Sequence, residues 1–426
     1  MTPLQVETTL PPPPRAFRWL VLICISLAMF GNYYIYDAIS PLADVLVTQL
    51  NFTDSDIGLL QAIYSVPNIF MVLIGGFIID RLGTKKSTLI FAVLCLLGAV
   101  ITVSSGTLLV MATGRLVFGL GAESLIVAVT TAIAKWFKGK ELSFAFGINL
   151  TIARLGSFAA LNSPSWASTY YEHWQAALMI SVVFGVVCVA GAVLYWILES
   201  NAENKYQIST AGATDKVNFS DIFKFGKSYW FIVALCITFY SAIFPFQTFA
   251  VKFFMEAHGT SRELGGFLSS MLTLFAMVAT PLFGLMVDKI GKRSLFMMFG
   301  SILLVPVYLM MAYTHISLYV PMAMMGIAFS LIPAIMWPSV SYLVEEKKLG
   351  TAYGLMTLIQ NIGLAGFNFL IGWANDFSAA SASNPDGYSL GMWIFSSLGF
   401  FGFLFAYLLR RNETGPNAQG LETIKA

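Results

Sequence analysis

The chain has 426 residues, of which 57% are hydrophobic and only 11% are charged, and its mean hydropathy is +0.76. A soluble domain carries about 25% charged residues, so this composition excludes a globular protein with a water-exposed surface. Disordered, collagen-like and disulfide-rich chains are excluded as well, because the four cysteines lie far apart inside apolar runs. The composition indicates a polytopic membrane protein.

Twelve apolar stretches of about 20 residues follow one another, each long enough to cross ~30 Å of hydrocarbon as a helix. They cover residues 17–39, 57–79, 87–105, 107–134, 141–164, 175–198, 229–254, 263–287, 294–313, 318–343, 350–374 and 389–409. The sequence therefore predicts an all-α membrane protein with twelve transmembrane helices.

The polar segments divide the chain into two halves. Segment 199–228 is the longest hydrophilic stretch between spans, and it reads as a linker between six spans at 17–198 and six at 229–409. Segments 1–16 and 410–426 are short polar tails. We predict that the linker and both tails lie on one side of the membrane.

Basic residues support this topology. Most of the 24 lysines and arginines lie in the tails or follow even-numbered spans, where they would remain on the cytosolic side. We therefore predict that both termini are cytosolic. The residues that carry this prediction are Arg15, Arg18, Arg81, Lys85, Lys86, Lys135, Lys138, Lys140, Lys205, Lys216, Lys224, Lys227, Lys289, Lys292, Arg293, Lys347, Lys348, Arg410, Arg411 and Lys425.

A short motif after the second span recurs after the eighth, with the spacing G-x-x-x-D-[RK]-x-G. The copies consist of Gly76, Asp80, Arg81 and Gly83, and of Gly284, Asp288, Lys289 and Gly291. The last glycine of each copy permits a tight turn. The recurrence at matched places indicates that the two halves are structural repeats.

This doubled motif resembles the signature loop of the major facilitator superfamily. The similarity covers nearly the whole chain, because twelve spans, a central polar loop and two parallel halves are also typical of that family. The resemblance implies the major facilitator fold and a transporter rather than an enzyme. In that family the motif aspartate latches the cytosolic gate of the outward-open state, which implies this role for Asp80 and Asp288.

Glu123 and Arg154 are the principal site candidates, because a charge within a membrane is costly and marks a functional residue by default. They lie at equal sequence distances from the loop that joins spans four and five, hence roughly 20 Å along antiparallel helices, near the midplane. Such charges can form a permanent ion pair or can bind the two ends of a zwitterion. A transporter needs charges that can release, which favours the second interpretation.

Five further residues are candidate ligands. Arg115 can contact substrate, hydrogen-bond a neighbouring helix or tune a proton site. Asp37 and Lys252 lie near the outer ends of their spans, where an interface or gate role is the alternative. Tyr64 and Asn68 can line a cavity or pack in the core.

Several segments look like the lysosomal dipeptide transporters of the same superfamily. They are GRLVFGLGAESL at 114–125, WFKGKE at 136–141, ARLGS at 153–157, YSVPN at 64–68 and FPF at 244–246. Those proteins are dipeptide uniporters whose central acid and base match Glu123 and Arg154, which are implied to hold the amino and carboxyl ends of the peptide. We call this acid and base pair the clamp; because it binds only the ends that all dipeptides share, it accepts many dipeptides.

We therefore predict an alternating-access dipeptide uniporter that contacts membrane lipid, without a cofactor, a metal or nucleic acid. The alternative is a proton-coupled transporter of small organic anions or amino acids, with Arg115 and Arg154 as ligands. An accessory membrane glycoprotein is implied only by the resemblance. The short N-terminal tail lacks an acidic dileucine signal, which favours a bacterial inner membrane or a plasma membrane over the lysosomal membrane.

Overall fold

The computed structural model describes residues 11–137, 141–206, 225–345, 348–416 and 418–423. Its long helices are α1 (Arg15–Asp37), α3 (Asp54–Ser104), α4 (Leu108–Phe137), α5 (Leu142–Leu161), α7 (Trp174–Glu203), α8 (Lys227–His258), α9 (Arg262–Ile290), α10 (Arg293–Tyr313), α11 (Tyr319–Leu343), α12 (Leu349–Phe377) and α13 (Ser389–Glu413). Two short helices, α2 (Ala43–Leu50) and α6 (Ser163–Trp166), lie in connections. Of the residues used to predict topology, Lys138, Lys140, Lys216, Lys224, Lys347 and Lys425 lie outside the described ranges, as do linker residues 207–224.

Each of the twelve predicted spans corresponds to a helical segment. Eleven helical stretches within the described residues are long and apolar enough to cross a membrane, and the first part of α3 supplies the remaining segment. The non-helical connection predicted between spans 57–79 and 87–105 is longer than the one in the structure. The chain leaves helical geometry inside α3 only at Gly83 (φ 77°, ψ 166°), because one glycine at positive φ is enough to redirect it.

Local signals in the sequence fix several helix ends. Thr53 accepts the backbone N–H of Asp56, and the Asp56 carboxylate accepts the N–H of Thr53, so a capping box begins α3. Gly259 ends α8 in a left-handed conformation. Gly291 ends α9 with φ 74°, and Gly83 has φ 77°, so both motif glycines form the predicted turns.

Helix α7 is longer than predicted. It continues to Glu203, although the sixth span was predicted to end at residue 198 and the linker to begin at residue 199. The additional turn is stable because Glu199 lies inside the protein, with only 1% of its surface exposed. Helix α1 likewise begins at Arg15, within the predicted tail.

The halves consist of α1–α7 and α8–α13. We call the face that carries Arg15, Gly83, Gly291 and Glu413 the terminal face, and the opposite face, with loops 51–53, 105–107, 259–261 and 314–318, the distal face. The halves meet mainly where α3 packs on α12 and α5 packs on α9. The space that these two contacts leave between them holds the candidate site.

The halves approach each other most closely toward the distal face. A Cβ atom added to Gly58 would lie 2.3 Å from the carbonyl oxygen of Asn368, and one added to Gly266 would lie 2.2 Å from that of Leu161. Toward the terminal face, a Cβ atom at Gly284 of α9 would meet nothing within 4 Å. The halves are therefore in close contact at the distal face, and among the described residues Gly284 has open space beside it toward the terminal face.

Candidate substrate-binding site

A cavity of about 230 Å³ lies between the two halves. Its lining is rich in aromatic side chains and includes two charged residues, Glu123 and Arg154. The N-terminal half also contributes Asn32, Tyr33, Tyr36, Tyr64 and Ile126. The C-terminal half contributes Tyr240, Phe244, Trp337, Thr357, Gln360 and Leu364.

Glu123 reaches the cavity from α4. The Tyr64 hydroxyl of α3 donates to its carboxylate at 3.3 Å, and the Tyr64 ring stacks on Phe118 with centroids 5.3 Å apart. Helices α3 and α4 pack this closely because a Cβ at Gly119 would lie 2.3 Å from the Tyr64 carbonyl oxygen. Gly119 is thus a helix-packing residue.

Arg154 reaches the cavity from α5 and lies where the halves meet. Its guanidinium carbon is 5.7 Å from the ring centroid of Tyr33 and 5.2 Å from that of Phe329, which belongs to the C-terminal half. Its buried Nε has no hydrogen-bond partner. Within the described part of the chain, no salt bridge joins Arg154 to Glu123. The structure thus brings the predicted acid and base to one cavity and leaves both charges available to a ligand.

Asp37 lies beside this site rather than in its lining. It is the last residue of α1, is 5% exposed, and contacts the Ser157 hydroxyl of α5. It is also within electrostatic range of Arg154 and Arg115. Asp37 therefore places a carboxylate near Arg154 behind the cavity wall.

The structure does not bring Arg115 to the cavity. This residue is 2% exposed, and its guanidinium donates to the carbonyl oxygens of Ile35 at 3.0 Å and Leu60 at 3.3 Å and to the Gln61 side chain. Arg115 was predicted to contact substrate, to hydrogen-bond a neighbouring helix or to tune a proton site, and its position supports the hydrogen-bonding role. Arg115 fixes the end of α1 against α3, which orients the tyrosines of α1 toward the cavity.

Asn68 and Lys252 also lie outside the cavity lining, at contacts between the halves. The Asn68 amide donates to the Asn361 side chain of α12 at 3.3 Å. Lys252 of α8 is 3% exposed and forms a salt bridge at 2.9 Å with Asp54, the first residue of α3. The interface and gate alternative for Lys252 therefore fits its position better than substrate binding does.

Lys252 belongs to what we call the distal network, which consists of Asp54, Lys252, Glu256, Asn375 and Tyr388. Lys252 Nζ lies 3.0 Å from the Tyr388 hydroxyl and 3.3 Å from Glu256, and the Asn375 amide donates to Asp54 at 2.9 Å. The side chains of Lys252 and Asp54 are each only 4% exposed. The network joins the two halves at the distal face and closes the gap between them there.

The two motif copies lie on the terminal face. Asp288 accepts from the Arg293 guanidinium at 2.7 Å, within the C-terminal half. The Arg81 guanidinium carbon lies 4.4 Å from the centroid of the Phe77 ring. The latch role implied for Asp80 and Asp288 stays a prediction.

The sequence analysis missed a buried carboxylate next to the first motif copy. Glu199 accepts from Lys135 Nζ at 2.7 Å, from the Trp136 indole at 3.1 Å, from the Thr84 hydroxyl at 3.2 Å and from the Tyr195 hydroxyl. The four-residue spacing between Tyr195 and Glu199 would have indicated one more helical turn. Glu199 ties α7 to α3 and α4 beneath the cavity.

Comparison with known proteins gives a consistent result. A family model described as Major Facilitator Superfamily matches residues 25–365 and 245–425. Lysosomal dipeptide transporter MFSD1 of Danio rerio is 34% identical over 365 residues, which cover 82% of this chain and 78% of that protein. The Homo sapiens protein of the same name is 32% identical over 379 residues, which cover 86% and 81%. A solved structure of a mutant nucleoside transporter, NupG, superposes with a TM-score of 0.75 at 13% identity, covering 91% of this chain and 98% of that one, and it shows the fold alone.

Proposed function

Because this chain belongs to the major facilitator superfamily and is an integral membrane transporter rather than an enzyme, we propose that it transports dipeptides by alternating access. The observation that carries the proposal is that Glu123 and Arg154 line one cavity between the halves without pairing with each other. The dipeptide transporters among its relatives support the substrate class.

The two charges act as a clamp on the ends of the substrate. The peptide ammonium donates to Glu123, and the peptide carboxylate accepts from Arg154, so each end forms a charge-assisted hydrogen bond. The variable side chains contact the aromatic surfaces of Tyr36 and Phe244, which are uncharged and accept many kinds of side chain. The cavity of about 230 Å³ is near the low end of ligand pockets, which favours a short peptide.

The transport cycle follows from where the halves touch. Contacts between the halves at Gly58, Gly266 and Lys252 close the distal end, and we infer from this that the cavity opens toward the terminal face. With both termini cytosolic, this is the inward-open state. In the opposite state the motif copies at Asp80 and Asp288 approach the other half and latch the terminal face.

We favour uniport over proton coupling. Glu123 is the acid of the cavity lining, and in the clamp it is occupied by the substrate ammonium rather than by a transported proton. A proton-coupled carrier of organic anions or amino acids would instead use Arg154 as the substrate ligand and an acid such as Asp37 as the proton site. A pH gradient that drives dipeptide accumulation in proteoliposomes would reverse our preference.

Uptake of a radiolabelled dipeptide into proteoliposomes tests the clamp. We expect Glu123→Gln and Arg154→Ala each to lower initial uptake at least roughly thirtyfold, because removing one partner of a buried charge pair costs about 2–5 kcal/mol. Glu345→Gln is the control, since this carboxylate is 73% exposed on the terminal face and should leave uptake unchanged. Near-normal uptake by either clamp variant, with a preserved melting temperature, would contradict the proposal.

Competition tests the substrate class separately. Unlabelled dipeptides should suppress uptake of the labelled dipeptide, whereas single amino acids and small organic anions at equal concentration should not. An amino acid lacks the separation between ammonium and carboxylate that spans Glu123 and Arg154. Suppression by organic anions alone would favour the alternative carrier.

A further inference from the structure

Tyr240 brings an unused hydrogen-bond donor to the cavity from the C-terminal half. It lies on α8, is 8% exposed and lines the cavity. The Trp337 indole N–H of α11 donates to its hydroxyl oxygen at 2.9 Å. An indole N–H can only donate, so the Tyr240 oxygen is the acceptor in this contact and its own hydrogen is left for another partner. Among the described residues, no acceptor is found for that hydrogen.

The packing around Tyr240 fixes this orientation. Its ring stacks on Phe244, with centroids 5.6 Å apart and planes 8° apart. Trp337 stacks on Tyr353 at 6.0 Å, and the Tyr353 hydroxyl donates to the Trp337 backbone carbonyl at 3.1 Å. The indole is therefore held in place on the side away from the cavity. Across the cavity, Tyr240 is within electrostatic range of the Arg154 guanidinium.

We propose that Tyr240 is a second ligand of the substrate carboxylate that Arg154 binds, and that Trp337 is the residue that positions it. The inference rests on the proposed dipeptide function and adds a C-terminal-half residue to the site. Arg154 belongs to the N-terminal half and Tyr240 to the C-terminal half, so one carboxylate accepts from both. The carboxyl end of the peptide is thereby the group that connects the halves.

This arrangement predicts discrimination against a C-terminal amide. An amide carries no charge for Arg154, and its NH₂ group is a donor that faces a tyrosine oxygen already occupied by Trp337. A free carboxylate has acceptor sites for both Arg154 and Tyr240. The selectivity is chemical rather than steric, since the two ends differ little in size.

Binding of alanyl-alanine and of its C-terminal amide to the purified full-length protein tests the assignment. We expect Tyr240→Phe to weaken alanyl-alanine binding roughly tenfold or more, the effect typical of a hydrogen bond to a charged group, and to change amide binding less than about twofold. Trp337→Phe should reproduce part of this loss, and the double variant should be no weaker than Tyr240→Phe alone. Tyr407→Phe removes the hydroxyl of an exposed tyrosine of α13 outside the cavity lining, so it is the control and should leave both affinities unchanged.

The outcomes separate the inference from the proposed function. Equal weakening of the dipeptide and the amide by Tyr240→Phe, or unchanged dipeptide binding, overturns the assignment of Tyr240. Absence of dipeptide binding and uptake in the unmodified protein overturns the proposed function instead. Melting temperatures of the ligand-free variants report on folding, and if Tyr240→Phe does not fold, a selective loss of dipeptide binding in Trp337→Phe supports the inference while an unselective loss overturns it.

Discussion

The distal network should control which face of the transporter is open. Asp54 belongs to the N-terminal half and Lys252 to the C-terminal half, and their side chains are 2.9 Å apart and 4% exposed. This contact exists only while the distal face is closed, because opening separates the halves and hydrates both charges. Replacing one partner therefore destabilises the closed distal face selectively.

The expected shift is large. Removing one partner of a buried ion pair costs about 3–5 kcal/mol, because the other charge stays buried without compensation. At about 1.4 kcal/mol for each factor of ten, Lys252→Met should shift the equilibrium toward the distal-open state by roughly a hundredfold to a few thousandfold. The double variant Asp54→Asn/Lys252→Met leaves only Glu256 without its cation, and this carboxylate is 20% exposed and still accepts from Tyr388, so the double variant should lie closer to the unmodified protein than either single variant.

Distances between spin labels across the distal face measure this equilibrium. Cysteines introduced at Thr107 and Ser317 place one label on an exposed loop residue of each half. The native cysteines are buried, which restricts labelling to the introduced sites. We expect longer distances for Lys252→Met and for Asp54→Asn, and a return toward the original distribution in the double variant.

Two results would refute this reasoning. One is an unchanged distance distribution in both single variants, which would mean that other contacts hold the distal face. The other is a double variant shifted as far as the single variants, which would mean that packing rather than charge is lost. Lys348→Gln breaks a largely exposed pair with Glu345 and is the control, since such pairs contribute only about 0–1 kcal/mol.

Three further changes have defined outcomes. Glu199→Ala should lower the free energy of unfolding by about 3 kcal/mol, and with it the melting temperature, because Lys135 and the other donors to Glu199 lose their acceptor. An unchanged melting temperature would contradict the contacts described for Glu199. Gly266→Ala places a Cβ 2.2 Å from a backbone oxygen and should lengthen the distal spin-label distance, whereas Gly284→Ala has open space and should not. Leu421→Ala removes a fully buried side chain and should cost about 2 kcal/mol in thermal unfolding if the C-terminal tail packs on the C-terminal half.

The fold is predictable from the sequence because hydrocarbon thickness imposes a length on each span and basic residues mark one end. The helix boundaries that were predicted wrongly lie where a single residue determines whether the helix turns or continues. Gly83 turns the chain within one residue, which a hydropathy pattern cannot resolve. Glu199 looks like the start of a polar linker, although four donors from α3, α4 and α7 bury it.

The candidate site is predictable in part. Antiparallel spans around one loop fix the heights of Glu123 and Arg154, so a cavity shared by both can be predicted from spacing. Whether they pair depends on how α4 and α5 are rotated, which is set by packing at residues such as Gly119. Tyr240 and Trp337 give no signal in the sequence, because aromatic residues in apolar runs are more often core.

Carboxylates of the N-terminal half are paired with lysines near the terminal face and near the distal face, but not at the level of the cavity between them. At the terminal level Glu199 has Lys135, and at the distal level Asp54 has Lys252, so both carboxylates are neutralised by protein. At the middle level Glu123 and Arg154 do not pair with each other, and only Arg154 has a carboxylate, Asp37, within electrostatic range, so closing the cavity around these charges is costly. A zwitterionic peptide supplies the missing counter-charge to each, so its binding removes the barrier to closure. For the proposed uniport cycle we expect the empty carrier to return with Glu123 and Arg154 paired with each other, so that the same two residues act in binding and in the return step.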